Sequence, residues 1–537
     1  MLQIQIFSYS PGNKMTPVCY PPATGLISTF RYPAFHRSHG SSSVTRLPRT
    51  IVIVGAGFSG TAVAINLLRL SYWRPVRIVL VERGEKMARG AAYADRSYDY
   101  LLNVPAGRMS MSSGDPLEFL KFAQKRIDGA TEDDFLPRAL YGDYLESVLL
   151  NAELASPSHV QLHKVRGEVC SVERMGSTSI GSTSSFRVEL DDRTTFIADD
   201  VVLALGNPPP ANLPGTSSLR DSPRYIAEPW SAPASFRPNE SVLVIGTGLT
   251  MADTVIAGDD AAAGATTFHA ISRHGLVPPT QTAFRHAGCD GNDGALLRAA
   301  AVSARRLFRA VRELTDEVQS RGGDWREAIT RVRTLAPSLW QRLPMRERQR
   351  FLRHARPYWD VHRHRLPTQT LAKLNELRQS SRLHVHAGRI LRFDLVGEQV
   401  RVSWRARGGS EIQTLWVDRV VNCTGADYSV TRSRDPLTRS LLESGLVTSD
   451  ALNLGLRTST YGAVIDSRNR VANNLYYIGP MLRADHWECT AAQELRVHAE
   501  RLARHLATPA VRSSLPARRM PDSSERAPEN QLQSLTT

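Results

Sequence analysis

Residues 51–82 constrain the fold more than any other stretch. Ile51-Val52-Ile53-Val54 is a continuous β-branched run, the pattern of a parallel strand buried on both faces. Gly55-Ala56-Gly57-Phe58-Ser59-Gly60 follows at once, and Thr61 to Leu70 reads as a helix with Val63, Leu67 and Leu70 on one face. In that spacing Gly55 permits a tight turn and Gly57 lets backbone approach a pyrophosphate. Gly60 lets the helix pack close to the strand, and the helix N-terminus faces the anion. A second strand, Arg77 to Glu82, ends in a carboxylate 27 positions after Gly55, placed to accept hydrogen bonds from ribose hydroxyls.

The design recurs at residue 246. Ser241 to Ile245 reads as a strand, Gly246-Thr247-Gly248-Leu249-Thr250-Met251 as the turn, and Met251 to Ala257 as a helix. Met251 stands where a third glycine would, so this helix is expected to sit slightly further from its strand. The next strand, Thr267 to Ser272, ends in Arg273-His274 rather than in an acid. Cations there suit a 2′-phosphate, hence NADPH over NADH. Two apolar runs that end at glycine, Val201 to Asn207 and Arg419 to Gly425, are each placed to bring a strand end and close-lying backbone to a cofactor.

A chain of 537 residues allows two to four domains and a large core. With 42% hydrophobic and 22% charged residues, disorder throughout, collagen and coiled coil are excluded. Cys19, Cys170, Cys289, Cys423 and Cys489 form no C-x-x-C, so neither a zinc site nor a disulfide framework is legible and a reducing compartment fits. Without an apolar run of about 18 residues, no membrane span is expected. Residues 1–48 lack a signal-peptide pattern and read as a disordered extension, within which Met15 offers an alternative start; residues 507–537 read as a disordered tail. The expected location is cytoplasmic, with no metal.

The net charge of +15 is uneven. Residues 298–378 hold 19 basic and 8 acidic residues, in a segment that reads as helical. Leu307, Val311, Leu314 and Val318 share one face, and Asp324 suits an N-cap. Most of these arginines read as a solvated face. The stretch from Arg356 to Pro367 differs: Tyr358 and Trp359 stand beside His362, Arg363, His364 and Arg365. Arginine offers bidentate donors to a carboxylate or urate-like anion, aromatic rings can stack, and histidine can move a proton. No helix-turn-helix, zinc finger or RNA-binding aromatic signature supports a nucleic-acid partner.

This order resembles the flavoproteins with two dinucleotide-binding domains. Within them it is similar to the bacterial FAD–NAD(P)-binding protein family, over roughly residues 49–506. The matching stretches are Gly90 to Tyr93, Leu102 to Ala106, Met109-Ser110, Pro137-Arg138, Tyr141 to Leu145, Gly246 to Asp253, His362 to Arg365, Ile478 to Pro480 and Trp487 to Ala491. The resemblance implies an α/β fold of two Rossmann-like units. The FAD domain would comprise residues 49–214 and 381–506, with an NAD(P) domain at 215–297 and a helical insertion at 298–380 set within it. It places Gly55, Gly57, Ser59 and Gly60 on the FAD pyrophosphate and Glu82 on its ribose. Asn103 and Met109 would lie near the flavin, and Gly479, Thr490 and Ala491 at its far end, before a helix from about 488 to 506. Gly246, Gly248, Thr250 and Arg273 would hold NAD(P)H.

Family members with known activity are similar to flavin-dependent hydroxylases, acting on aspartate nitrogen or on urate. A redox cysteine pair is missing, which argues against disulfide reduction. The stretch Tyr225 to Trp230 lacks the histidine of ketone-oxygenating relatives. The expectation is a monooxygenase that uses FAD, NADPH or NADH, and O2. It would hydroxylate a small anionic substrate through a C4a-hydroperoxyflavin, urate to 5-hydroxyisourate, with Asn103, His364 and Arg365 in catalytic positions. Aspartate N-hydroxylation, and electron transfer to a protein or quinone, are the alternatives.

Overall fold

The computed structural model describes residues 48–70, 75–176, 184–231, 236–282 and 293–508. The chain opens on β1 (Arg49–Val54), α1 (Phe58–Arg69) and β2 (Val76–Glu82). It continues through α2 (Glu118–Gln124) and α3 (Arg138–Leu154) to β3 (Val160–Arg166). An antiparallel meander of β4 (Val169–Arg174), β5 (Phe186–Leu190) and β6 (Thr195–Ala198) leads to β7 (Asp200–Leu203). Then come β8 (Tyr225–Ile226), β9 (Ser241–Ile245), α4 (Leu249–Ala261) and β10 (Thr267–Ser272). Six helices follow: α5 (Asp293–Val302), α6 (Ala304–Ser320), α7 (Trp325–Arg342), α8 (Met345–Arg350), α9 (Arg356–Arg363) and α10 (Thr368–Gln379). The chain ends with β11 (Leu383–Val396), β12 (Gln399–Ala406), β13 (Ile412–Val417), β14 (Arg419–Asn422), α11 (Pro436–Glu443), β15 (Ala463–Ile465), β16 (Val471–Tyr477) and α12 (Ala492–Ala507).

Two sheets organise these elements, with strand orders β15-β16-β7-β1-β2-β3 and β13-β12-β11-β10-β9-β14-β8. Both place a glycine-turn strand, β1 or β9, between parallel neighbours. Ile51, Val52 and Ile53 have no exposed surface, as continuous β-branched runs demand when helices cover both faces. Each such side chain contributes about 1.5–3 kcal/mol by leaving water. The strand that precedes each glycine lies inside its sheet, flanked on both sides, and its apolar run is buried accordingly.

Three expectations change. Residues 383–422 do not return to the first sheet. β11 starts parallel to β10, pairing Phe268 with Leu383 through Ser272 with Ala387, then runs on as the partner of β12. β14 pairs with β9, so the return to the first sheet comes only at β15 and β16. The last expected insertion helix, α10, buries Leu374 and Leu377 in the core under the second sheet with Phe268 and Val242. The C-terminal helix begins at Ala492 rather than near 488 and runs through Ala507. Apart from Pro48, Ala507 and Thr508, the expected extension and tail fall outside the described residues.

Helices α5 to α9 carry their own core. Leu307, Leu314 and Val318 are buried with Val332, Leu339, Trp340 and Phe351, while Val311 is partly buried against them. Asp324 caps α7, its carboxylate accepting the Arg326 N–H at 2.8 Å. This core is closed by Leu454, Ala484 and Trp487, which come from the segment around β15 and β16. Trp340 Nε1 donates to the Ala484 carbonyl at 2.9 Å, and its ring stacks on Trp487 with centroids 4.7 Å apart. The arginine-rich helices are therefore fastened to the part of the chain that leads into α12.

Candidate functional site

Between β1 and α1 the backbone forms a cradle. Gly55 has φ of +99°, and a Cβ on it would stand 2.5 Å from the Ala204 carbonyl oxygen at the end of β7. A Cβ on Gly60 would lie 1.9 Å from the Gly55 oxygen, so helix and strand approach as closely as backbone permits. Gly57 is different: its Cβ would meet only the Gly90 Cα at 3.6 Å, and the space before the α1 N-terminus is open. Ser59 is buried in the first turn. Glu82 accepts the Ala56 N–H at 2.7 Å through one carboxylate oxygen and the Gly84 N–H at 2.9 Å through the other. Its carboxylate therefore stands at the mouth of the turn, where ribose hydroxyls would reach it. An open Gly57, a free helix N-terminus and a carboxylate after the second strand fit an adenine dinucleotide.

The second cradle repeats this plan against a different strand. Gly246 has φ of +112°, and its Cβ would stand 2.4 Å from the Cys423 carbonyl oxygen after β14. Gly248 has no atom within 4 Å of an added Cβ, and Thr250 lies in the first turn of α4. Met251 is fully buried in the core beneath the sheet. Thr247 ties the turn to the loop after β10: its hydroxyl lies 2.9 Å from Ser272 Oγ and donates to the Leu276 carbonyl. Arg273 is exposed on that loop. The two strand-to-glycine runs thus each supply the carbonyl that braces one glycine turn.

The units meet at Arg138, the first residue of α3. It donates to Asp253 of α4 at 2.9 Å, and both side chains are largely buried. Burial raises the Asp253 carboxyl against the pull of Arg138. Tyr100 and Trp230 pack edge to face beside this pair, and Arg138 lies over both rings. Neither Arg138 nor Trp230 has a motif-level signature for this contact, though both stood within quoted stretches.

Of the other expected residues, Asn103 is part-exposed and Met109 is 3% exposed within the first core. Gly479 follows β16, where a Cβ would lie 2.6 Å from the Tyr477 hydroxyl. Thr490 and Ala491 lead into α12, with Ala491 as its N-cap. Gln493 Nε2 donates to the Arg108 carbonyl at 2.9 Å, which fixes this end against the loop that carries Asn103 and Met109.

The insertion brings a buried cluster of charge to the same end. Arg363 donates to Glu488 at 2.7 Å, Trp359 Nε1 to the other Glu488 oxygen at 2.6 Å, and Arg333 to Glu494 at 2.8 Å. Arg356 reaches Asp360 at 3.2 Å. Arg483 lies over Trp487 at 4.5 Å and Tyr428 at 4.7 Å, with no carboxylate at ion-pair distance among the described residues. Arg363 Nη2, Arg483 Nε and Trp487 Nε1 are buried donors without an acceptor. Burial, then Arg363, Arg483, Arg333 and Arg356, pushes the His364 imidazole down to about 3, so it is neutral at physiological pH.

Arg365 is set apart from that cluster. It is 7% exposed and spends its donors on Gln281 at 2.9 Å and the His362 carbonyl at 3.0 Å, over the Trp325 ring. Its role here is to join α9 to residues 280–282, and burial followed by the neighbouring cations pushes it down to about 10. The groups that face the α12 entry are Arg363, which lies in the stretch singled out by sequence, and Arg333 and Arg483, which sequence reading did not single out. The excess of arginine was legible; which guanidinium lacked an acid was not. No group of histidine, cysteine, aspartate or glutamate among the described residues is arranged to hold a metal ion, and no described helix is long and apolar enough to cross a membrane.

Residues 52–208 match the family model described as FAD-NAD(P)-binding. No curated protein sequence matches this chain. Among solved structures, reduced ornithine hydroxylase from Pseudomonas aeruginosa shares the fold at 17% identity and a TM-score of 0.55, over 86% of this chain and 99% of that one. An ornithine N-hydroxylase from Kutzneria sp. 744, with reduced FAD, NADP+ and L-ornithine, has 16% identity and a TM-score of 0.54, over 86% and 99%. The FAD-bound cadaverine monooxygenase of desferrioxamine biosynthesis from Erwinia amylovora has 12% identity and a TM-score of 0.55, over 90% and 100%. Residues 52–208 therefore match an FAD–NAD(P)-binding model, and the chain as a whole shares the two-sheet α/β fold of these solved hydroxylases.

Proposed function

We propose that the protein is an FAD- and NADPH-dependent monooxygenase that N-hydroxylates a small amino acid carrying an additional carboxylate, of the aspartate type. The observation that carries this reading is Arg483. Around His364, Arg333, Arg356 and Arg363 each have a carboxylate partner, and Arg483 has none among the described residues. An uncompensated guanidinium at a buried site is expensive unless an anion completes it. A substrate carboxylate on Arg483 would do so.

FAD, when bound, supplies hydride acceptance from NADPH and activation of O2. The chain's own residues would do the rest. Arg483 holds the carboxylate. The surrounding guanidinium groups disfavour an ammonium, so the amine is presented neutral and nucleophilic. His364, itself neutral, accepts a hydrogen bond from that amine without adding charge. The Trp340–Trp487 stack, with Phe351 against Trp487, keeps water from this side.

That amine hydroxylases are among the solved structures sharing the fold supports nitrogen as the target. The sequence has no C-x-x-C, and among the described residues Cys423 and Cys489 are buried with their thiols raised by burial, which supports oxygen over a disulfide as acceptor. Urate, the expectation from the resemblance, has less support. Trp359 is committed to Glu488 and Tyr358 leans on His274, which leaves charge rather than a stacking platform.

The test is NADPH oxidation and oxygen uptake by the purified yellow protein with L-aspartate, L-glutamate, L-ornithine and urate. A hydroxylamine product from an acidic amino acid supports the reading. Coupled urate consumption would replace it with ring hydroxylation. Acceptor reduction with no hydroxylated product would make the protein a reductase.

A further inference from the structure

The loop after β10 gathers more positive charge than the one arginine legible there. A guanidinium N–H of Arg407 donates to His274 Nδ1, next to Arg273. Arg407 stands at the end of β12, over a hundred positions away in sequence. It arrives there because β12 folds back along β11. Its backbone N–H donates to the Ala387 carbonyl at 2.9 Å, and Ala387 pairs with Ser272, the last residue of β10. A Cβ on Gly275 would stand 3.0 Å from the Ala387 Cβ, so loop and hairpin are in contact. On its other side the His274 ring lies 5.4 Å from Tyr358 of α9.

The placement follows the Rossmann rule. β9 carries the glycine turn and β10 is the next strand, so the end of β10 is where the adenosine ribose is read. Thr247 and Ser272 hold the glycine turn and this loop at fixed separation. Neither Arg273 nor Arg407 has a carboxylate at ion-pair distance among the described residues; the contact of Arg407 is the ring nitrogen of a histidine. Burial and the two guanidinium groups favour the neutral form of that histidine, which lets Nδ1 accept.

We propose that Arg407, with Arg273 and His274, forms the recognition site for the 2′-phosphate of a nicotinamide dinucleotide, and that Arg407 sets the preference for the phosphorylated cofactor. This rests on the second cradle being a nicotinamide-dinucleotide site. A phosphate monoester dianion takes two parallel bonds from a guanidinium, and the Arg407 fork, released from His274, supplies them. Because Tyr358 backs His274, the site reaches the arginine-rich insertion.

The experiment is calorimetric titration of the flavin-loaded protein with 2′,5′-ADP and with 5′-ADP, a readout independent of turnover. The wild type is expected to prefer 2′,5′-ADP. Arg407→Ala is expected to weaken 2′,5′-ADP by about tenfold or more while 5′-ADP changes by less than about twofold, and the retained 5′-ADP binding reports an intact fold. Arg187→Ala, an exposed arginine on β5 in the separate three-stranded sheet, is expected to change neither. If the wild type prefers 2′,5′-ADP and Arg407→Ala keeps that preference, the assignment of Arg407 is wrong while the cradle stands. If the wild type binds both equally, no 2′-phosphate site exists. If it binds neither, the reading of the second cradle falls, and this proposal with it.

Discussion

The two cradles were built on one plan and diverge at two positions. In the first, Gly60 lets α1 touch the turn, with its missing Cβ 1.9 Å from the Gly55 oxygen. In the second, the corresponding Met251 fills the core with a side chain, and close approach moves along α4 to Gly258, where a Cβ would stand 2.4 Å from the Phe236 ring. After the second strand the charge inverts: Glu82 in one, Arg273 with His274 and Arg407 in the other. A carboxylate takes ribose hydroxyls and repels a phosphate, whereas clustered cations do the opposite. On the proposed reading, backbone geometry admits a dinucleotide and the residue at the end of the second strand selects which one.

The strongest way to break this comparison is at the bracing glycines. Gly60→Ala forces a methyl into backbone at contact distance, and Gly246→Ala adds one at φ of +112° against the Cys423 carbonyl. Each is expected to cost about 3 kcal/mol or more of folding stability. In thermal unfolding, Gly60→Ala should also release flavin. A Gly60→Ala protein with wild-type melting and full flavin absorbance would show that the first turn is looser than the contacts imply.

Next in size is the bond between the units. Arg138→Ala leaves Asp253 buried beneath Tyr100 and Trp230 without its cation. The expected loss is about 3 kcal/mol in chemical denaturation. Asp253→Asn on that background should recover part of it, because it removes the stranded charge. No recovery would mean that Arg138 acts through its packing on the rings.

A pH test treats the units separately. His269 in the second unit is pushed down to about 4 by burial and then by His384 and His386, and His498 of α12 to about 4 by burial and then by His486 and Arg501. An unfolded histidine titrates near 6.5, so between about pH 6.5 and 4 the unfolded state binds more protons. Stability therefore falls as pH drops through that window, by at most about 1.4 kcal/mol per pH unit for each group. His269→Asn and His498→Asn should each flatten this acid limb of the stability curve. An unchanged slope in one variant would remove that histidine from the account.

Both turns, their strands and the arginine-rich helices were legible in the sequence, because each is written in consecutive residues. The share of the second sheet taken by 383–422 was not. An alternating antiparallel hairpin carries no mark of which sheet edge it joins, and only the register of Phe268 with Leu383 assigns it. Arg407 was hidden for that reason. At the candidate substrate side, local charge pointed to Arg365, yet Gln281 and Trp325 occupy it, and the cation of the cluster around His364 with no carboxylate at ion-pair distance among the described residues is Arg483, on a different segment. Pairing between distant residues is a tertiary fact, so a count of arginines could locate the site only to a region.

The smallest expected change in stability gives the sharpest separation of the two cradles. Gly57→Ala and Gly248→Ala each add a methyl in the open space before a helix N-terminus, 3.6 Å from the Gly90 Cα in one case and beyond 4 Å from any atom in the other. Both positions are extended backbone that alanine adopts freely. Melting should therefore move by less than about 0.5 kcal/mol in either variant. Binding should part company: Gly57→Ala loses flavin and keeps 2′,5′-ADP, while Gly248→Ala keeps flavin and loses 2′,5′-ADP, because each methyl occupies the approach of one pyrophosphate. Flavin absorbance and calorimetry on the same two preparations decide it. If either variant lost both nucleotides without melting earlier, the cradles would not be independent sites, and the division of labour between Glu82 and Arg273 would have to be abandoned.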